Sequence, residues 1–555
     1  MTRTLLLWLV ACGPPLDDKV GADDTDSGTD DSGPRDDTGP STHSDTDGPD
    51  DTGQGRATRC GPLGGAFTPC TLAVDPRQAT LPDGILTVPH TDAALADLDG
   101  DGWLDVCASR HPGRLTCHLD RGGLDFGPGT EVTQGLAFGV VATDLDADGH
   151  VDLVVPEVAI PTDTDLGDLE VRLTLLKGRG DGTFEDVSDA AGLGALPVQG
   201  CDSPTPQGVH ALHLDTDDRL DLVVRMQGTC PPFVFRGRPG LTFARSISTL
   251  PDPVESGLLT LDLDLDGHLD LLTYSFGEPP ARAYRGLTGV FTRRPFAAPF
   301  DGEHASRPRG CGAGDIDGDG LLDVYCGDHG RQTLLRLGAD GEATDVTQAL
   351  GAAVPTTLGG DVPITWSSWI VDLDGRDGPD LVAASGFEEL DEPWAQETVV
   401  LMQQPDGRFR RSTDGPLGQP YGARGLVVAD LDGNRCPDLL LLPIDREAPG
   451  RPLQVLLGAG CAHGLGPVTA TVHTGQEAVG AKVVGRWSDG TTAAWRVTKS
   501  GGDEGAGPAS FWPTARDPSA TLVDLTVHWP DTTTSVHAAA EAATGAIRQP
   551  AGLSP

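Results

Sequence analysis

The feature that most constrains this 555-residue chain is an aspartate pattern that returns seven times. Four copies read D-x-D-x-D-G-x-x-D: Asp97, Asp99, Asp101, Gly102, Asp105; Asp144, Asp146, Asp148, Gly149, Asp152; Asp262, Asp264, Asp266, Gly267, Asp270; and Asp315, Asp317, Asp319, Gly320, Asp323. Three more stay in register but drift. One has His213 at position 1, then Asp215, Asp217, Asp218 and Asp221; another has Asp372, Asp374, Arg376 and Asp380; the last has Asp430, Asp432, Asn434, Arg435 and Asp438. The starts are 47, 69, 49, 53, 57 and 58 residues apart, so each copy belongs to one supersecondary unit of a propeller or array.

The spacing has a chemical reason. A loop curling around a hard cation turns side chains 1, 3 and 5 inward and offers the carbonyl of position 7, here Trp103, His150, His268 or Leu321. Glycine at position 6 supplies a bend that a Cβ resists, and a carboxylate at position 9 adds another oxygen. Any single copy also reads as an Asp/Gly turn, but four intact copies argue against turns alone. Calcium is therefore expected at the four intact loops. The 430 copy is a fifth candidate, because Asn434 still carries an oxygen. Metal is not expected in the 213 and 372 copies, where His213 and Arg376 stand in place of oxygen donors.

The residues after each loop point to sheet. An EF-hand needs Glu at position 12 and a helix, whereas position 12 here is Ala108 or Val155. Instead come short apolar runs such as Leu153-Val154-Val155 and Leu439–Leu442, which read as buried strands. Glycine-turn hairpins come next, near Leu175–Phe184, Phe233–Phe243, Ala283–Phe291 and Val399–Phe409. Four short strands per unit make a blade. These units resemble FG-GAP/VCBS repeats of the kind found in integrin α-chain propellers, and the resemblance implies calcium held in a strand hairpin. The expected fold is all-β: a seven-bladed β-propeller over residues 59–465, followed by a small β module at 466–545 and a tail at 546–555. Val479–Val483, Lys499–Gly502 and Val523–Pro530 make that module similar to the ASPIC/UnbV domain, which follows such propellers in the cartilage acidic protein family. Asp503 and Glu504 replace the Gly-Tyr expected after Ser-Gly-Gly.

The N-terminus suggests where the chain resides. Arg3 precedes a short apolar run ending Leu9-Val10-Ala11-Cys12-Gly13, which resembles the lipobox of bacterial lipoproteins, with Cys12 as the lipidated residue. Residues 1–12 are read as its signal peptide. Residues 13–58, dense in Asp, Thr, Ser and Gly, cannot bury enough apolar surface to offset their ordering entropy and read as a disordered tether. The expected location is the bacterial cell envelope, lipid-anchored at the outer membrane or cell surface.

Ten further cysteines fall into neighbouring pairs: Cys60/Cys70, Cys107/Cys117, Cys201/Cys230, Cys311/Cys326 and Cys436/Cys461. The even count suggests disulfides and an oxidising compartment, although sequence alone leaves connectivity open. A formal charge of −44 argues against nucleic acid and anionic membrane surfaces, and for divalent cations. No catalytic or organic-cofactor residue is assigned, since H-E-x-x-H, G-x-S-x-G and Walker A motifs are lacking. Arg179-Gly180-Asp181 lies in a hairpin turn and is not read as adhesive. The leading expectation is a non-catalytic, calcium-rigidified binding or adhesion scaffold for a surface glycan or protein, touching membrane only through its lipid. The alternative is an extracellular propeller enzyme acting on polysaccharide.

Overall fold

The computed structural model describes residues 67–71 and, with short interruptions, 90–553. The lipobox, the tether, Cys12 and Cys60 lie outside the described residues, as do Asp264 and Asp266. Strand dominates, and the two α-helices among the described residues, Thr347–Leu350 and Ala539–Ala542, have four residues each.

Seven antiparallel sheets follow one another along the chain, each holding one copy of the aspartate loop between its first and second strands. The first is built from His90–Ala96, Asp105–His111, Thr116–His118 and Thr130–Glu131. The third repeats this order with Pro206–Leu212, Asp221–Met226, Phe233–Arg238 and Thr242–Ser246. In the seventh the outer strand comes from far away in sequence: Phe67–Thr71 pairs antiparallel with Gln454–Gly458.

Burial explains the composition of the strands. Second strands such as Asp152–Val158 and Asp438–Pro443 are buried along their whole length, because neighbouring sheets cover both faces. Outer strands such as Phe184–Asp186 are half-buried to exposed and correspondingly polar. First strands approach one another closely and use small residues. A Cβ on Gly310 would lie 1.9 Å from the Trp366 carbonyl oxygen, and one on Gly312 2.6 Å from that of Ser368.

The cores lie between consecutive sheets. Leu153 and Leu176 of the second pack with Cys107 and Leu115 of the first, and Val324 of the fifth with Leu272 of the fourth. Val427 and Leu440 of the seventh sheet share a cluster with Leu95 and Val106 of the first.

Four of the expected cysteine pairs are disulfides: Cys107–Cys117, Cys201–Cys230, Cys311–Cys326 and Cys436–Cys461. The first and third of these join residues directly opposite in adjacent strands. The fifth expected pair, Cys60 and Cys70, falls outside the described residues at Cys60; the backbone of Cys70 lies in the strand Phe67–Thr71, in register with Val455.

The C-terminal module has two sheets. One orders Thr492–Arg496, Lys482–Trp487, Leu522–His528 and Thr534–Ala538; the other places Val468–Thr471 between Ser510–Phe511 and Ala546–Arg548. Residues 546–548, set apart above as tail, are thus a strand of the module, parallel to Val468–Thr471. Alternation is too short there to be seen in sequence. Val483, Phe511, Val527, Trp529 and Ile547 bury its core.

Candidate metal centres

In each described loop, the ninth-position aspartate first fixes the backbone. Asp105 Oδ2 accepts the Leu98 N–H at 2.7 Å, and Oδ1 accepts the Asp120 N–H from beyond the third strand, also at 2.7 Å. Asp152 repeats this with Leu145 and Gly178, Asp221 with Leu214 and Gly237, and Asp323 with Ile316 and Leu337. Asp380 does so with Leu373 and Gln403, and Asp438 with Leu431 and Gly458. All six are essentially inaccessible to water. Sequence reasoning took this residue for a ligand only; its alignment opposite a particular N–H across the sheet exists only once the sheet has formed. Burial pushes Asp105 and Asp152 up to about 7, and Asp323 and Asp438 up to about 8.

Position 1 closes the turn. Asp97, Asp144, Asp315 and Asp430 accept the N–H of position 6 at 2.9–3.0 Å. Position 6 is left-handed in every described loop, at Gly102, Gly149 and Gly320 as expected, but also at Asp218, Asp377 and Arg435. The drifted copies therefore keep the loop backbone at a steric cost of about 1 kcal/mol per residue.

Five loops gather carboxylates with ligand atoms within 4.8 Å of one another: Asp97, Asp99 and Asp101; Asp144, Asp146 and Asp152; Asp315, Asp317 and Asp323; Asp372, Asp374 and Asp380; Asp430, Asp432 and Asp438. The donor set is all hard oxygen, suited to calcium. Asp146 Oδ1 and Asp430 Oδ1 are buried with no hydrogen-bond partner, leaving lone pairs that a bound cation would satisfy.

The 372 loop departs from expectation. Arg376 at position 5 does not keep Asp372, Asp374 and Asp380 apart; burial raises Asp374 above the usual carboxylate range, and the nearby Arg376 charge opposes that rise. In the 144 and 315 copies position 5 stands outside the gathered group, whereas Asp101 belongs to that of the 97 copy. Asp148 bonds Lys177 at 2.7 Å, Asp319 Oδ1 accepts the Leu321 N–H, and Asp101 Oδ1 accepts that of Trp103. Asn434 Oδ1 accepts the Cys436 N–H at 2.7 Å, and its amide nitrogen faces Asp432 and Gly458. Of the 262 copy, Asp262, His268 and Asp270 are described, and Asp270 accepts the Gly286 N–H.

The 213 loop gathers no such group. Arg236 Nη1 donates to Asp221 at 2.8 Å and Asp215 at 3.3 Å, and Arg219 pairs with Asp217. His213 is buried between the carbonyl oxygens of Arg219, 3.1 Å from Nδ1, and Glu477, 3.0 Å from Nε2.

Glu477 belongs to the C-terminal module, which sits on the loop side of the sheets. Ala494 N–H donates to Asp315 Oδ2 at 3.0 Å, Arg516 Nη2 to the Ile316 carbonyl at 2.6 Å, and Thr143 Oγ1 to Glu477 at 2.5 Å. Trp512 packs among Val371, Leu373 and Val428. No sequence pattern announced this docking, because its contacts join residues far apart along the chain.

Comparison with known proteins fits the repeat. The FG-GAP-like repeat family matches residues 97–155 and 262–326. No curated protein sequence matches the chain. Among solved structures, an Agrocybe aegerita lectin that recognises non-reducing terminal N-acetylglucosamine is 17% identical over 61% of this chain and 85% of its own, with a TM-score of 0.38. An ancestral GH74 enzyme is 11% identical over 73% and 57%, TM-score 0.42. The V. cholerae biofilm matrix protein Bap1 is 13% identical over 74% and 60%, TM-score 0.30. A lectin, an enzyme and a matrix protein share no one activity. The chain carries FG-GAP-like repeats in an all-β, propeller-type fold.

Proposed function

We propose that this chain is a calcium-stabilised FG-GAP propeller acting as a non-catalytic binding or adhesion scaffold for a glycan or protein. The seven sheets are blades of one closed ring, followed by an ASPIC/UnbV-type module. A lipid on Cys12 and the acidic tether hold the ring outside a bacterial envelope membrane. The observation that carries the metal half of this reading is the set of five aspartate groups, each in the turn between a first and a second strand. Calcium there would supply charge compensation to carboxylates that otherwise repel one another, and so stiffen that turn.

The module's position supports the opposite side as the ligand face. At the strand ends remote from the loops, the guanidinium groups of Arg309 and Arg424 lie 4.0 and 4.5 Å from the ring centre of Trp366, and Trp366 and Arg309 are themselves buried.

A panel of glycans and surface proteins, screened with calcium and with chelator, tests the reading. Calcium-dependent binding without turnover is expected. Failure of calorimetry to detect calcium uptake removes the metal half. Release of sugar from a polysaccharide overturns the non-catalytic half.

A further inference from the structure

Loops with nearly the same aspartates have different interiors, and the difference comes from the third strand. The residue just before the N–H that grips each ninth-position aspartate is Leu119, Lys177, Arg236, Arg285, Arg336, Met402 and Leu457 in the seven sheets in turn. Four consecutive sheets carry a basic side chain there, and three carry an apolar one. The basic groups reach the loops to different degrees. Arg236, with a side chain only 17% exposed, binds Asp221 and Asp215. Lys177, 32% exposed, binds Asp146 and Asp148, positions 3 and 5 of an intact copy. Arg336, 50% exposed, lies 3.5 Å from Asp317.

We propose that these third-strand cations decide which loops take a divalent ion. Arg236 stands in for the ion in the 213 loop, Lys177 competes with it in the 144 loop, and Arg336 competes weakly in the 315 loop. The loops opposite Leu119 and Leu457 bind calcium best. The proposal rests on the reading of the loops as calcium sites.

Its physical basis is simple. A cation fixed in the same sheet is always at hand, so an incoming ion must expel it and break charge-assisted hydrogen bonds. In the 213 loop the replacement is complete. Asp215, Asp217 and Asp221 all pair with arginines, and His213 takes the position-7 carbonyl that would otherwise face the ion. The affinity order therefore departs from the order of motif quality. The intact 144 copy binds more weakly than the drifted 430 copy.

The test is calorimetric calcium titration of the full chain as wild type, Lys177→Met, Asp146→Asn and the Lys177→Met/Asp146→Asn double variant. Differences between each form and its Asp146→Asn counterpart isolate the 144 loop. Losing two charge-assisted hydrogen bonds to the competitor should tighten that site roughly ten- to a hundredfold in Lys177→Met. Asp215→Asn should leave the number of bound ions unchanged, whereas Asp99→Asn should lower it by one. If calcium binds elsewhere but Lys177→Met leaves the 144 site unchanged, or if Asp215→Asn removes an ion, the proposal is overturned while the calcium reading stands. Absence of uptake by any form overturns both.

Discussion

The loops at 97 and 213 share a backbone and differ in what fills it. Both run from a first to a second strand, both are left-handed at position 6, and both hang on a buried ninth-position aspartate whose oxygens take two backbone N–H groups. In the first, Asp97, Asp99 and Asp101 converge, and apolar Leu119 stands where the other loop has its arginine. In the other, Arg236 and Arg219 neutralise Asp215, Asp217 and Asp221. The same scaffold thus accepts two solutions to carboxylate repulsion. One awaits an ion from solution, and the other carries its counter-charge in the chain. The first should respond to chelator and the second should not.

Chelation gives the largest expected effect. At millimolar calcium each loop with a dissociation constant of ~10⁻⁴–10⁻³ M contributes on the order of 1 kcal/mol, so removal from several loops should lower the melting temperature by several degrees. Calorimetric melts with and without chelator check this. A chelator-insensitive melt would reduce every aspartate loop to the 213 type.

Next comes Arg236→Ala. It strands Asp221, fully inaccessible to water, without its counter-charge, and should cost about 3 kcal/mol. The loss should be the same in calcium and in chelator, as measured by denaturant unfolding. A loss that calcium repairs would mean that the 213 loop binds metal after all. Asp99→Asn is the counterpart, expected to cost about 1 kcal/mol in calcium and almost nothing in chelator.

A pH series sharpens the contrast further. Burial raises Asp323 and Asp438 from 3.8 to about 8 and Asp152 to about 7. A carboxyl whose folded pKa exceeds its unfolded one contributes stability that is fully present below about pH 4 and is lost as pH rises through 7 to 8. In chelator, melting temperature should therefore fall between pH 5 and pH 8. Calcium, which binds the ionised form, should flatten or reverse that slope. An identical slope with and without calcium would contradict the proposed ligand role of these aspartates.

The smallest effect concerns the backbone alone. Arg435→Gly removes the strain of a left-handed arginine, worth at most about 1 kcal/mol against the entropy that glycine adds to the unfolded chain. Urea midpoints should shift by a few tenths of a molar at most, and calcium uptake at the 430 loop should persist.

The sequence by itself determined the repeat and the strand content, because both are local. An Asp-rich turn followed by Leu153-Val154-Val155 or Leu439–Leu442 has few ways to bury its apolar side chains other than as a strand covered on both faces. Cys107–Cys117 and Cys311–Cys326 were legible for the same reason, since residues opposite in a hairpin are close in sequence. The interior of each loop was not. Arg236 reaches Asp221 from 15 residues away, Lys177 reaches Asp146 from 31, and neither belongs to the D-x-D-x-D-G-x-x-D pattern. The completion of the seventh sheet by Phe67–Thr71 and the docking of Ala494 on Asp315 lie farther still. Hydrogen-bond partners and counter-charges are chosen by the register of strands and the packing of sheets, which exist only in the folded chain. Sequence set out the carboxylates, and tertiary structure decided which of them already have a cation.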